Sequence, residues 1–266
     1  MAKALETNSV FVMLFCRFFI SAIFMGLITF KFSIIFDKRS VVYGIILGVV
    51  LFGSFVAQTY ALKLTFSSSV AFITGLECVI VPFMTALIFK NKITIFAIFG
   101  ALIAIFGLWL LSGATLALGA GEALALLCAI FYALYTSLNG HFVRKCELYL
   151  LVFVVFLTVS LLSFVFAFIE GSVVPNYDRE FFIAIFITAF IGTIFCYFVQ
   201  TIAQRYTTAS KAALFFCLEP VSAGFIGYFF AGEKLTLIQI FGAILIIFGV
   251  IFSEFGKKFF SRSKLV

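Results

Sequence analysis

The sequence predicts an all-α polytopic membrane protein of about nine transmembrane helices, arranged as an inverted-topology repeat of four plus five helices. Three observations lead to this fold class: a very apolar composition, a series of long hydrophobic segments, and a stretch of chain that occurs twice. Of the 266 residues, 65% are hydrophobic and only 11% are charged. Soluble domains contain about 45–50% apolar and about 25% charged residues. The composition therefore excludes an ordinary soluble protein.

The hydrophobic segments have the length that a membrane-spanning helix requires, roughly 20 mostly apolar residues. They do not alternate apolar and polar side chains, as transmembrane strands do. Nine such segments are predicted, at residues 10–32, 41–62, 69–89, 93–111, 121–140, 148–169, 181–204, 209–230 and 235–255. The six cysteines lie in or beside these segments without paired spacing. We interpret them as small apolar side chains, not as disulfides or metal ligands.

A repeat connects the two ends of the chain. Residues 58–107 align without a gap with residues 200–249, at a constant offset of 142 positions and with identity at about 19 of the 50 pairs. Since the offset spans five predicted helices, an odd number, the two copies are expected to face opposite ways across the membrane. Inverted repeats of this kind are typical of secondary transporters, which bind solute near the bilayer midplane.

The repeat divides the chain into two predicted halves. The first half covers residues 1–112 with four helices, and a short external linker covers 113–120. The second half covers 121–256 with five helices, and a basic cytoplasmic tail covers 257–266. The repeat partner of the helix at 121–140 would precede residue 1. Either this first helix was lost, which leaves nine helices, or the true start of the protein lies upstream.

The positions of Lys and Arg predict the orientation. Placing the loop with Lys31, Lys38 and Arg39 in the cytoplasm puts most cationic residues on that side, as the positive-inside rule requires. With nine helices the N-terminus is then outside and the C-terminus cytoplasmic, and we expect the bacterial inner membrane. The net charge of +7 is thereby explained without a nucleic-acid partner. The first apolar segment lacks the features of a cleaved signal peptide.

Two acidic residues, Glu77 and Glu219, are predicted well inside helices and occupy equivalent positions of the repeat. A charged group near the bilayer centre costs roughly 2.5–3.5 kcal/mol on insertion scales, so such residues tend to face a cavity or a partner. Either carboxyl could couple transport to protons or dock a substrate amine. The alternative is structural, with the carboxyl hydrogen-bonded to neighbouring helices.

Three further polar residues are candidates for the same site. Arg17 lies about two turns inside the first helix, where it could pair with Glu77, bind an anionic substrate group, or reach back to the lipid headgroups. Gln58 and Gln200 occupy equivalent repeat positions near opposite faces of the membrane. They could line two vestibules or form hydrogen bonds between helices.

Aromatic residues could complete a lining for an organic substrate. Tyr132, Tyr135 and Asn139 share one face of a helix by their three- and four-residue spacing. Tyr197 is a further candidate. Aromatic side chains also form the ordinary belts at membrane interfaces, which is the alternative explanation. No cofactor and no metal site is predicted.

The second copy of the repeat carries a family resemblance. Leu218–Val250 (LEPVSAGFIGYFFAGEKLTLIQIFGAILIIFGV) resembles the last two helices of EamA-like transporters of the drug/metabolite transporter superfamily, with the LEP, GE and G-A-x-L-I-x-x-G elements. Gly121–Lys145 resembles the sixth helix of that family, and Cys16–Phe24 its second. The resemblance implies ten helices as five plus five, so the chain departs from the family at its start. The first copy departs as well, with Cys78 and Lys90 at the positions of Pro220 and Gly232.

The predicted function is a secondary-active transporter that moves a small organic metabolite across the membrane by alternating access. Its partners would be the lipid bilayer and a small solute, with coupling to protons and a homodimer left open. The alternative is a non-transporting scaffold or helper subunit derived from such a carrier. A channel and an intramembrane enzyme are further classes; the single histidine, His141, has no catalytic cluster in the sequence. No phosphate-binding motif for a built-in ATPase is present.

Overall fold

The computed structural model describes residues 8–32, 36–65, 67–90, 95–111, 119–171, 178–207 and 236–262. These residues form helices and short connections, with no strand among them, which confirms the all-α prediction. The helices are α1 (Val10–Phe32), α2 (Lys38–Leu64), α3 (Ser67–Thr74), α4 (Glu77–Phe89), α5 (Ile95–Leu111), α6 (Ala120–Phe142), α7 (Leu148–Glu170), α8 (Arg179–Ala189), a π-helix (Phe190–Phe195), α9 (Cys196–Tyr206) and α10 (Leu237–Arg262).

Five helical segments are long and apolar enough to cross a membrane. They are α1, α2, α6 with the 3₁₀ turn that follows it, α7, and the continuous stretch from α8 to α9. Each coincides with a predicted segment to within a few residues. Shorter apolar helices lie in α4, α5 and α10. The predicted segment 209–230, which contains Glu219, lies outside the described residues, so the total of nine helices stays a prediction.

The predicted helix at 69–89 is interrupted, and the prediction of one continuous span there is wrong. α3 ends at Thr74 and α4 begins at Glu77. Between them the Leu76 amide donates to the Ile73 carbonyl at 3.1 Å and the Cys78 amide to the Gly75 carbonyl at 3.3 Å. This three-residue spacing is that of a 3₁₀ turn. Gly75 is a weak helix former, which makes the break inexpensive at this position.

The chain divides into two compact units. Unit 1 contains residues 1–64 and 138–208, and unit 2 contains residues 65–137 and 209–266. Each unit therefore combines helices from both predicted repeat halves, so the spatial division differs from the division of the sequence. One boundary falls inside α6, between Ser137 and Leu138.

In unit 1, α1 and α7 run antiparallel and pack through aromatic rings. Phe11 stacks on Phe166 at 5.4 Å near one end of the pair, and Phe32 stacks on Tyr149 at 6.0 Å near the other. Between these ends the pair buries the rings of Phe18 and Phe156 completely, with their centres 5.9 Å apart.

The starts of α2 and α7 are joined by hydrogen bonds. The Ser40 hydroxyl donates to Asp37 at 2.8 Å and accepts from the Glu147 amide at 2.8 Å. Hydrogen bonds from the Ser40 hydroxyl and the Arg39 amide hold the pKa of Asp37 below its usual range. The cations at this end of unit 1 are Lys31, Lys38, Arg39, Arg144, Lys145 and Arg205. The described charged residues at the other end are Lys63, Glu170, Asp178, Arg179 and Glu180.

In unit 2, α5 and α10 run antiparallel in very close contact. A Cβ atom added at Gly107 would lie 2.7 Å from the Gly242 carbonyl oxygen, and one at Gly249 would lie 2.6 Å from the Gly100 carbonyl oxygen. Only glycine allows such an approach of two helix backbones.

The buried cluster of unit 2 collects small and branched side chains from four helices. Its members are Cys78, Val79, Val81, Ala101, Ala104, Ala133 and Ile246. Cys78 is disulfide-bonded. The interpretation that no cysteine forms a disulfide is therefore wrong for this residue, whereas Cys16, Cys128, Cys146 and Cys196 carry reduced thiols.

Candidate functional site

Arg17 projects from α1 into the interior of unit 1, where only 7% of it is exposed. Its Nε donates to the Thr193 hydroxyl at 2.6 Å and its Nη2 to the Gly192 carbonyl at 3.2 Å. The guanidinium carbon lies 4.6 Å from the ring centre of Phe55, within the range of a cation–π interaction. This burial favours an interior role for Arg17 over the alternative in which it reaches the lipid headgroups.

The two residues that accept hydrogen bonds from Arg17, Gly192 and Thr193, belong to the π-helix between α8 and α9. The Thr193 hydroxyl also donates to the Thr188 carbonyl, five residues earlier, at 2.8 Å. From α1, the Ser21 hydroxyl donates to the Ala189 carbonyl at 3.3 Å. The sequence predicts one uninterrupted helix over residues 181–204, and the π-helix departs from that prediction. Short π-helices are frequent at functional sites.

α9 presents a buried polar face immediately after the π-helix. Tyr197 is buried, with its ring centre 6.0 Å from that of Phe55 and 6.3 Å from that of Phe156. Gln200 is buried one turn further on. Gln58, on α2 of the same unit, is half-buried. Unit 1 therefore brings Arg17 and Tyr197 together at the ring of Phe55.

Asn139 forms the polar contact between the end of α6 and α9. Its side-chain amide donates to the Gln204 side-chain oxygen at 2.6 Å and to the Thr201 hydroxyl at 3.4 Å. Both acceptors are fully buried. Thr201 and Gln204 are not among the residues predicted from the sequence, although their spacing from Tyr197, four and seven residues, places all three on one helix face.

Replacing Asn139 with leucine is expected to lower the stability of the protein by about 1–2 kcal/mol, because a polar contact between membrane helices is lost and Gln204 loses a donor. The measurement is unfolding of the purified protein in mixed micelles. Gln204→Leu provides the reciprocal control, and the double variant should lose less than the sum of the two single losses. Full stability of Asn139→Leu would contradict the contact.

Tyr132 and Tyr135 lie on the part of α6 that belongs to unit 2. Their rings stack with centres 5.9 Å apart, and Tyr135 is buried. Ser137, the last residue of this part, accepts a hydrogen bond from the Thr85 hydroxyl at 3.0 Å. On each side of the unit boundary, α6 is thus hydrogen-bonded within its own unit. The role of the two tyrosines as a substrate lining stays a prediction.

Glu77 occupies the break in unit 2, as the first residue of α4, and only 4% of it is exposed. The first amides of α4 already donate to carbonyls of the turn before it, at 3.0–3.3 Å, so the carboxyl lies at an irregularity of the backbone. Irregular segments of membrane helices form the solute and ion sites of many carriers. Its pairing with Arg17 stays a prediction, and Glu219 lies outside the described residues. Within the described ranges, no three His, Cys, Asp or Glu side chains converge as metal ligands would.

The sequence matches the EamA-like transporter family over residues 1–113 and 119–255. The chain belongs to the EamA-like transporter family. An uncharacterized transporter of Archaeoglobus fulgidus is 29% identical over 248 residues, which cover 93% of this chain and 78% of that protein. A second uncharacterized transporter of the same organism is 40% identical over 48 residues, or 18% of each chain. A solved crystal structure superimposes on 95% of this chain and 91% of its own, with a TM-score of 0.77 and 17% sequence identity, which shows a shared fold.

The family assignment confirms the resemblance found in the sequence. Together with the five membrane-capable helices, it identifies the chain as an integral membrane protein of a transporter family. Its partners are the lipid bilayer and a small solute. The expectation that the protein is not an enzyme agrees with the family.

Proposed function

We propose that this member of the family is a secondary-active carrier that moves a small organic metabolite by alternating access, with coupling to protons. The observation that carries the proposal is the buried carboxyl of Glu77 at the interruption of a membrane helix. An ionisable residue inside a membrane span is costly, and in carriers such residues mark solute and proton pathways. Glu219 is the repeat equivalent of Glu77 and would act as its counterpart.

The buried polar face of unit 1 would supply contacts to the solute. Tyr197 and Gln200 offer an aromatic ring and an amide, and Asn139 offers a second amide. Arg17, which shares the ring of Phe55 with Tyr197, would add a positive charge. Gln58 completes the proposed set of unit 1, whereas Tyr132 and Tyr135 of unit 2 stay candidates proposed from the sequence. Aromatic rings with a few fixed polar groups are the usual lining of a site for an organic molecule.

The inverted repeat that alternating access requires is supported by the packing of α5 on α10. Gly100 and Gly242 are equivalent under the offset of 142 positions, as are Gly107 and Gly249. The contact of Gly107 with the Gly242 carbonyl is therefore the equivalent of the contact of Gly249 with the Gly100 carbonyl. Such reciprocity is what a local two-fold axis between two antiparallel helices produces.

The charges of unit 1 support the proposed orientation. Six described Lys and Arg residues lie at the end that holds Arg144, whereas two, Lys63 and Arg179, lie at the other end. By the positive-inside rule the cationic end faces the cytoplasm. We propose the cell membrane as its location, and with nine helices the C-terminus would be cytoplasmic.

Counterflow tests the proposed function. The purified protein is reconstituted in vesicles that are loaded with one solute of a panel of unlabelled metabolites, and uptake of the same radiolabelled solute is followed. A carrier gives transient, saturable accumulation that protein-free vesicles lack. Failure of the whole panel would contradict the proposal and favour the scaffold or helper role, and flux that does not saturate would indicate a channel.

A further inference from the structure

We infer that Arg17 is a positioning residue that holds the π-helix and thereby fixes the rotation of α9 about its axis. The inference concerns the solute face proposed above, so its consequence for transport rests on the proposed function. Its structural part does not depend on transport. In this role Arg17 acts through α9, in addition to the positive charge that it would add to the proposed solute face.

The π-helix matters because it contains one residue more per turn than an α-helix would. An α-helix turns about 100° per residue. If Phe190–Phe195 relaxed to α-helical geometry, every side chain of α9 would therefore rotate by about that angle relative to α8. Tyr197 would leave the rings of Phe55 and Phe156, and Gln204 would leave Asn139. The polar face of α9 is therefore buried only while the π-helix is present.

Arg17 is well placed to maintain this geometry. A π-helix is rarely stable without support from its surroundings. Arg17 donates to two consecutive residues of the π-helix, Gly192 and Thr193, and the stacking of its guanidinium on Phe55 fixes the direction from which it does so. The Thr193 hydroxyl connects Arg17 to the end of α8, because it accepts a hydrogen bond from Arg17 and donates one to the Thr188 carbonyl. Hydrogen bonds from a charged donor are about twice as strong as neutral ones.

The test measures the rotation of α9 directly. The reduced cysteines Cys16, Cys128, Cys146 and Cys196 are replaced by serine, and a nitroxide label is placed at one residue at a time from 198 to 204. The collision rate of each label with oxygen, which dissolves in lipid, is measured by electron paramagnetic resonance. In the parent protein the rate should peak at Val199 and Ala203, which are exposed, and fall at Gln200 and Gln204.

Arg17→Met is expected to shift this periodic profile by one residue and to change the relative KM values of transported solutes. Thr193→Val, which keeps the volume of the side chain and removes only the bridging hydroxyl, should give the same shift if Arg17→Met does not fold. Lys31→Met removes an exposed cation of the same helix and should leave the profile unchanged.

An unshifted profile in Thr193→Val, or in a folded Arg17→Met protein, would overturn the inference. If Arg17→Met then lost transport with α9 unrotated, Arg17 would act on the solute directly. Absence of counterflow in the parent protein would instead contradict the proposed function. The oxygen-accessibility profile stays informative in that case, so the two failures are distinguishable.

Discussion

Glu77→Gln is expected to abolish proton-driven accumulation of solute while leaving the protein folded. Glutamine has nearly the shape of glutamate and keeps a hydrogen-bonding oxygen, but it cannot release or bind a proton at neutral pH. If Glu77 is the coupling carboxyl, the variant should no longer respond to an imposed pH gradient. Exchange of solute for solute, which needs no net proton movement, should persist.

The fold should tolerate this change. A charge inside a membrane span costs roughly 2.5–3.5 kcal/mol on insertion scales. Glutamine removes that cost, so the thermal stability of Glu77→Gln should equal or exceed that of the parent protein. A structural carboxyl predicts the reverse combination, with lower stability and unchanged pH dependence.

The measurement is uptake into vesicles with and without a pH gradient, compared with counterflow in the same preparation. Glu180→Gln is the matched control, because Glu180 is an exposed acidic residue in the first turn of α8. Glu219→Gln tests the equivalent carboxyl of the second copy. Parent rates and parent pH dependence in both Glu77→Gln and Glu219→Gln would assign the two residues a structural role.

The helical class and most membrane segments could be predicted because they depend on local composition. A run of about 20 apolar residues is helical in lipid whichever neighbours it has, since its backbone must bond internally. α1, α2, α6 and α7 are of this kind. The interruption at Gly75–Leu76 cannot be predicted from hydropathy alone, because both residues are compatible with an apolar helix.

The π-helix could not be predicted, because its cause lies elsewhere in the chain. Arg17 and Ser21 bond to residues more than 160 positions away. For the same reason the helical spacing predicts the face of α6 on which Asn139 lies, but it does not predict the hydrogen-bond partner of Asn139. That partner, Gln204, is 65 positions away in the sequence.

Lys90 shows how the two copies of the repeat inform each other. It ends α4 in the left-handed conformation, with φ of 54°, which glycine adopts without strain and other residues do not. The equivalent residue of the second copy is Gly232. The departure from the family's GE element at Lys90 is therefore a substitution at a position whose backbone geometry suits glycine.

Gly249→Ala and Gly107→Ala are expected to destabilise the protein by similar amounts, about 1–3 kcal/mol each, the usual cost of forcing an extra group into a packed interior. The new methyl group of Gly249→Ala would lie 2.6 Å from the Gly100 carbonyl oxygen and 3.0 Å from the Ala104 amide nitrogen. These are backbone atoms of a helix and cannot rotate away, so α5 and α10 must separate.

Gly26→Ala provides the matched control, because the atoms that its methyl group would meet belong to the Phe153 side chain, at 3.0 Å and beyond. A ring can shift where a helix backbone cannot, so this loss should be smaller. Thermal unfolding of the three purified variants gives the comparison. If Gly249→Ala and Gly107→Ala were as stable as Gly26→Ala, the close approach of α5 and α10 would be contradicted. Because both changes widen the same interface, the double variant should lose less than the sum of the single losses.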